Sequence, residues 1–203
     1  ECQTMAYNTD ISAVSVCVVA TSHYSGSSSY VANGALATFS NKCGKAAPYC
    51  IAAPGDYLWS HSKSGNGHAF NSGTSMAAPM VSGGLALIMQ EFSSLTPAQV
   101  VSRLLSTATD SGEYSQTSIY GHGMMNLNAA TTAVAELQTI NGSNLLDDPN
   151  TSYYDLVDNS FTSSAAFSNA LSAALAGQTM EVYDSFDRAN FKTNVSSFFT
   201  SGS

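Results

Sequence analysis

The sequence predicts an α/β architecture: a mostly parallel sheet flanked by helices, with a small, partly helical appendage at its C-terminal end. Two observations predict it. Short apolar, β-branched runs broken by Gly, Ser and Pro occupy the first third of the chain, and segments of helical periodicity follow them. A length of 203 residues with 44% hydrophobic content also bounds the chain to one domain and an appendage.

In chain order, Val14-Ser15-Val16-Cys17-Val18-Val19-Ala20 reads as a buried parallel strand. The Ser/Gly stretch 22–29 is a loop, and Ala35 to Asn41 a further extended segment. Cys50-Ile51-Ala52-Ala53 is a strand stopped by Pro54-Gly55. Tyr57 to Ser60 is a short strand and Ser62 to Gly67 a turn. A helix rich in small residues spans about Ser75 to Met89, with Ala77, Ala78, Gly83 and Gly84 keeping it thin enough to bury and Pro79 in its first turn. Thr96-Pro97-Ala98-Gln99 opens the next helix: Thr96 caps, Pro97 suits the first helical position and Gln99 completes a capping box. Val100, Val101, Leu104, Leu105 and Ala108 form its apolar face. Tyr120-Gly121-His122-Gly123 is a turn, and Leu127 to Leu137 a third helix. Residues 141–164 are rich in Ser, Asn, Thr and Asp and read as a linker. Phe167, Leu171, Ala174 and Leu175 mark a weakly amphipathic helix ending near Gly177.

Charged residues make up only 10% and net charge is -8, which argues against a nucleic-acid or anionic-membrane partner. Low lysine content and a polar, uncharged surface suggest secretion. The chain opens Glu1-Cys2-Gln3 without an initiator Met or leader pattern, and is expected to be a piece of a longer precursor. Four cysteines in such a chain suggest disulfides, with three possible pairings. Cys43 and Cys50 flank a short loop and are the best local pair, worth roughly 2–3 kcal/mol; Cys2 and Cys17 remain by elimination. A zinc site is disfavoured, because no Cys-x-x-Cys spacing exists. No cofactor or metal is expected.

The chemistry concentrates in Gly73-Thr74-Ser75-Met76-Ala77-Ala78-Pro79, followed by Met80-Val81-Ser82-Gly83. A serine here opens a helix, whose first turn offers unpaired N–H groups and the positive end of the macrodipole. An acyl-transfer nucleophile needs that setting, because attack on a carbonyl creates an oxyanion that preplaced donors must meet. Gly73 removes a side chain where a substrate backbone has to approach. The Gly-x-Ser-x-Gly elbow of other serine hydrolases is missing.

This stretch resembles the active-site serine signature of the subtilisin-like serine proteases, the subtilases. The resemblance extends over about Ser15 to Leu137 through Leu36-Ala37-Thr38-Phe39-Ser40-Asn41, Ile51-Ala52-Ala53-Pro54-Gly55 and Tyr120-Gly121-His122-Gly123-Met124-Met125-Asn126. Ser40 to Cys50 is similar to subtilases carried as passengers of bacterial autotransporters, in which two cysteines bracket the same loop. Tyr183-Asp184-Ser185-Phe186-Asp187-Arg188 through Phe199 resembles the segment that follows the protease there.

The resemblance implies that residues 1–140 are the C-terminal half of a subtilisin-like peptidase domain and 141–203 a Ser/Asn-rich linker and post-protease segment. It implies a serine endopeptidase acting through an acyl-enzyme on Ser75, with Ser72, Gly73 and Thr74 at the oxyanion and substrate-binding positions. The family needs Asp, His and Ser in that chain order. Asp10, His23 and Ser75 satisfy the order but not the context, because Asp10 precedes Ile11-Ser12 and His23 sits in a loop between Ser22 and Tyr24. His61 and His68 flank the turn before the serine, and His122 fills the variable position of the glycine turn. The Asp and His of the triad are therefore expected outside this chain, and the isolated chain is expected to be inactive. The implied partners are polypeptide substrates, the missing N-terminal half and a downstream autotransporter β-barrel, at a secreted or bacterial cell-surface location. The competing expectation is an inactive, truncated passenger serving as a surface scaffold or binding module.

Overall fold

A computed structural model describes residues 9–22, 34–62, 65, 67–135, 137–140, 153–155, 161–163, 170 and 173–201. The chain divides into two compact units, residues 1–131 and 132–203. Both helix and strand are present, and no helix among the described residues is long and apolar enough to cross a membrane.

The first unit opens with a single helical turn, α1 (Thr9–Ser12), and strand β1 (Cys17–Ser22). β1 runs parallel to β2 (Cys50–Asp56), with Cys17 opposite Cys50 and Ala20 opposite Ala53. Both strands are buried along most of their length, as near-continuous apolar runs require. β1 begins later than expected. Val14 is 51% exposed and its N–H bonds Ile11 O, so Val14 closes the turn that leaves α1. β2 continues through Pro54 and Gly55 instead of stopping there. Pro54 stands opposite Thr21, where the register shifts, so its missing donor falls at the end of the ladder. The segment 35–41 is not a strand. It caps the outer edge of β1 through Ser22 N–H to Ala35 O, Ala37 N–H to Ala20 O and Ala20 N–H to Ser40 Oγ.

A hairpin follows: β3 (Leu58–His61) pairs antiparallel with β4 (His68–Asn71), Trp59 opposite Phe70 and His61 opposite His68. The serine helix, α2 (Thr74–Glu91), then packs across β1 and β2. Ala77, Val81, Gly84 and Ile88 form its buried stripe. Pro79 is the sixth residue of α2, not part of its first turn, so the carbonyl of Ser75 loses its i+4 donor. Ala78 and Gly83 are exposed, so only Ala77 and Gly84 serve close packing. A Cβ on Gly84 would lie 2.9 Å from Leu127 Cδ2 and 3.0 Å from Met125 Sδ.

Helix α3 (Pro97–Ser106) carries the expected capping box in full: Thr96 Oγ1 accepts from Gln99 N–H, and Gln99 Oε1 accepts from Thr96 N–H. Val100, Val101, Leu104 and Leu105 are buried as its periodicity predicts. Arg103 is buried with them; its Nε donates to Ala130 O at 2.7 Å and its guanidinium lies 4.6 Å from the centre of the Phe92 ring. A short turn, α4 (Thr117–Tyr120), precedes the glycine turn. That turn docks on the second edge of β2: His122 N–H donates to Cys50 O, Ala52 N–H to Gly123 O and Met125 N–H to Ala52 O.

Tyr120 anchors this region. Its hydroxyl donates to Glu113 Oε1 at 2.7 Å, accepts from Leu36 N–H at 3.0 Å, and its ring meets Tyr114 edge-on. Burial, reinforced by the bond to the Glu113 carboxylate, pushes the phenol up from 10.0 to about 12. The neutral phenol is thus favoured in the folded state. Its contribution to stability is complete below pH 10 and is lost as pH rises from 10 to about 12, where the unfolded chain ionises first. An absorbance titration of phenolate should show one tyrosine ionising near 12, and this step should vanish in Tyr120→Phe.

The expected third helix is only one turn, α5 (Leu127–Ala130). Its continuation is blocked by competing partners. Thr131 Oγ1 bonds back to Leu127 O, and Arg103 takes Ala130 O, the acceptor that Val134 N–H would need.

The second unit is built mainly from strands. β5 (Leu137–Ile140), β6 (Tyr153–Asp155), β8 (Thr179–Asp184) and β9 (Asn190–Asn194) form an antiparallel sheet in the order β6-β5-β8-β9, and β7 (Phe161–Ser163) pairs in parallel with β10 (Phe199–Ser201). Leu137, expected in a helix, stands opposite Asp184 in this sheet. Asp184 is fully buried, and its carboxylate accepts from Val134, Ala135 and Phe186 N–H. Parts of the linker expected over 141–164 are thus strands, and Phe167 and Leu171 lie outside the described residues.

Candidate active site

Ser75 occupies the second position of α2 and is exposed. Three contacts set the loop that presents it. Gly73 N–H donates to Gly55 O at 2.7 Å, Tyr57 N–H donates to Ser72 Oγ at 2.9 Å, and Met76 and Ala77 N–H both close on Gly73 O. Gly55 is the hinge point of the arrangement. A Cβ there would fall 2.6 Å from Ala20 Cβ, 2.9 Å from Gly73 O and 3.0 Å from Ala77 Cβ, so β1, the serine loop and α2 meet where only hydrogen fits.

Gly73 has φ 156 and ψ 158, backbone that glycine alone adopts freely. A Cβ on it would sit 3.0 Å from Ser75 Oγ and 3.6 Å from Ser75 N. The space this methyl would fill lies directly in front of the hydroxyl and the amide. Among the described residues, the N–H groups of Thr74 and Ser75 make no hydrogen bond, as expected for a first helical turn. The exposed hydroxyl, an open donor on the same residue and the positive helix end therefore converge on one cleared volume. The side chain of Ser72 and the N–H of Gly73 are committed within the loop, and their visible work is to hold it.

Among the described residues, no histidine hydrogen-bonds Ser75. His61 and His68 face each other across the hairpin, and His122 Nε2 lies 3.1 Å from Pro48 O. His23 lies outside the described residues, as does Cys2, so the Asp10–His23–Ser75 and Cys2–Cys17 combinations fall there too. Cys43 and Cys50 are joined by a disulfide that spans the 3-10 turn Gly44–Tyr49. Cys17 is buried across the strand pair from Cys50, in one apolar cluster with the disulfide and Tyr120.

The sequence pattern points to Ser75 and Gly73, whereas Gly55 and Tyr57, which support the loop, carry no local signal of that role. The Ala-Pro-Gly run was visible as a strand end; its role depends on contacts with Gly73 and Ala77 far along the chain.

α2 is apolar around most of its circumference, a pattern that belongs to helices covered on all sides. Here one stripe is covered, while Ala78, Pro79, Gly83 and Ala86 are exposed and Met80, Leu87 and Met89 are 44%, 52% and 49% exposed.

Sequence comparison finds several similar proteins. Serotype-specific antigen 1 of Mannheimia haemolytica is 39% identical over 101 residues, 47% of this chain and 11% of its own length. An extracellular serine protease of Serratia marcescens is 35% identical over 116 residues, again 47% and 11%. Subtilisin DY of Bacillus licheniformis is 41% identical over 80 residues, 39% of this chain and 28% of the relative. The chain thus spans between about a tenth and just over a quarter of these relatives. Among solved structures, the patellamide maturation protease PatA aligns over 58% of this chain and 42% of its own, with 27% identity and a TM-score of 0.47. The profile of the subtilase family matches residues 4–123, more than half of the 203. With Ser75, its cleared approach and its glycine-braced loop inside that span, the chain belongs to the subtilase family.

Proposed function

We propose that the chain supplies the nucleophile and the core of the C-terminal half of a serine endopeptidase, and that the aspartate and histidine of its triad lie on a segment outside it. The observation that carries this is Ser75 itself: exposed, without a hydrogen bond to any described histidine, and placed on a helix whose bare apolar face asks for a covering partner. In the assembled enzyme the histidine takes the Ser75 hydroxyl proton as Oγ attacks the peptide carbonyl. The Ser75 N–H meets the developing oxyanion, the amine leaves with the proton, and water hydrolyses the ester. The substrates are polypeptides. Kinship with an extracellular protease and a serotype-specific antigen supports a secreted or cell-surface protein, and a downstream β-barrel is the export route proposed with it.

Active-site labelling tests the reading. A fluorophosphonate probe should leave the 203-residue chain unmodified at times when the protein extended through its upstream coding sequence is labelled stoichiometrically. Ser75→Ala should abolish that label. Fast labelling of the isolated chain would remove the need for an external base. An extended, folded protein that never labels would transfer the chain to the scaffold reading.

A further inference from the structure

The hairpin that feeds the serine loop displays a row of rings on one exposed face. Its register places Trp59 opposite Phe70 and His61 opposite His68, and strand alternation puts all four on the same side. Trp59, His61, His68 and Phe70 are all exposed. Tyr57 stacks on Phe70 at 4.1 Å between ring centres, Trp59 on His68 at 5.7 Å with planes 12° apart, and His61 lies 4.4 Å from His68.

The position of the two histidines in the ladder is chemically specific. Ser62 N–H donates to Gly67 O at 2.9 Å, so that pair is hydrogen-bonded and the next pair inward, His61 and His68, is not. Non-hydrogen-bonded antiparallel partners bring their side chains closest, with Cα atoms about 4.5 Å apart. Two solvent-facing imidazoles on such a pair can turn their ring nitrogens towards one ion at about 2.0–2.1 Å each. Trp59 braces one ring from the side.

We propose that His61 and His68 form a two-point chelate for a divalent first-row transition cation of the Ni²⁺, Cu²⁺ or Zn²⁺ class, with water completing the shell. Imidazole nitrogen suits these borderline cations and not Mg²⁺ or Ca²⁺. Among the described residues no group of three or more metal-ligating side chains exists, so the site is a bidentate, surface one. It is independent of the peptidase reading, which uses neither histidine.

Trp59 is the only tryptophan in the chain and stacks against His68, so it reports occupancy. The intact 203-residue chain is titrated with Ni²⁺, chosen because it does not oxidise thiols. Saturable, one-to-one quenching of Trp59 fluorescence is expected, with no response to Mg²⁺ or Ca²⁺. His61→Ala and His68→Ala should each weaken binding at least tenfold, and His122→Ala should leave it unchanged. Histidine ring signals in the unmodified chain give a second readout, with His61 and His68 broadening together at Ni²⁺ levels that spare His122. Quenching that never saturates, single variants that bind Ni²⁺ as tightly as the unmodified chain, or broadening of only one of the two rings would each overturn the site.

Discussion

Gly121→Ala is expected to destabilise the first unit by about 3–5 kcal/mol, a large part of the 5–15 kcal/mol that holds a typical domain. Two effects add. Gly121 has φ 64 and ψ −117, a conformation that costs a residue with a Cβ about 1–3 kcal/mol. The new methyl would also be driven onto the carbonyl of Cys50, whose oxygen accepts the His122 N–H. Relief requires the turn to lift off β2, which breaks that bond and endangers the Ala52–Gly123 and Met125–Ala52 bonds beside it, each worth about 1 kcal/mol. Gly112→Ala is the matched control. It too has positive φ, at 62, but nothing lies within 4 Å of its Cβ, so only the backbone term remains, about 1 kcal/mol. Urea denaturation of the two variants should separate them by at least 2 kcal/mol. Equal losses would mean that the contact with Cys50 carries no weight.

Local signals make part of this molecule readable from its sequence, and contacts between distant residues hide the rest. Thr96-Pro97-Ala98-Gln99 and the apolar face behind it were legible because capping and periodicity are local: every atom of the box lies within four residues. The placement of Gly73 and Ser75 at the start of α2 was legible because a glycine followed by a run of small helix formers marks a helix start. The end of α5 was not legible. Residues 127–137 carry a plausible helical pattern, but Arg103 claims Ala130 O and the carboxylate of Asp184 claims Val134 and Ala135 N–H. Partners tens of residues away thus outcompete a weak local preference. β2 ran through Pro54-Gly55 for a related reason. Proline stops a strand only where its neighbour needs a donor, and opposite Thr21 the ladder is already ending. The exposed face of α2 is the converse case. Its all-round apolar sequence anticipates burial that the described residues do not supply.

Gly73→Ala is the sharpest functional test, because its expected effect on catalysis exceeds its effect on folding. The loop is held by Gly55 O, Ser72 Oγ and the Gly73 carbonyl, none of which the substitution removes. The backbone at φ 156 and ψ 158 should add strain of about 1–3 kcal/mol. The methyl would also stand 3.0 Å from Ser75 Oγ and 3.6 Å from its N, in the volume that the proposed acyl transfer needs for the carbonyl and its oxyanion. In the proposed peptidase, assembled with the segment that carries its aspartate and histidine, kcat/KM should fall at least a hundredfold, which corresponds to about 2.7 kcal/mol of transition-state stabilisation. Ser72→Ala provides the contrast. It removes the acceptor of the Tyr57 N–H and loosens the loop by about 1 kcal/mol, while leaving the approach to Ser75 clear, so its kcat/KM should fall less than tenfold. If Gly73→Ala labels with the fluorophosphonate as fast as the unmodified protein does, substrate does not enter from this side and the approach to Ser75 must be sought on the opposite face of the helix turn.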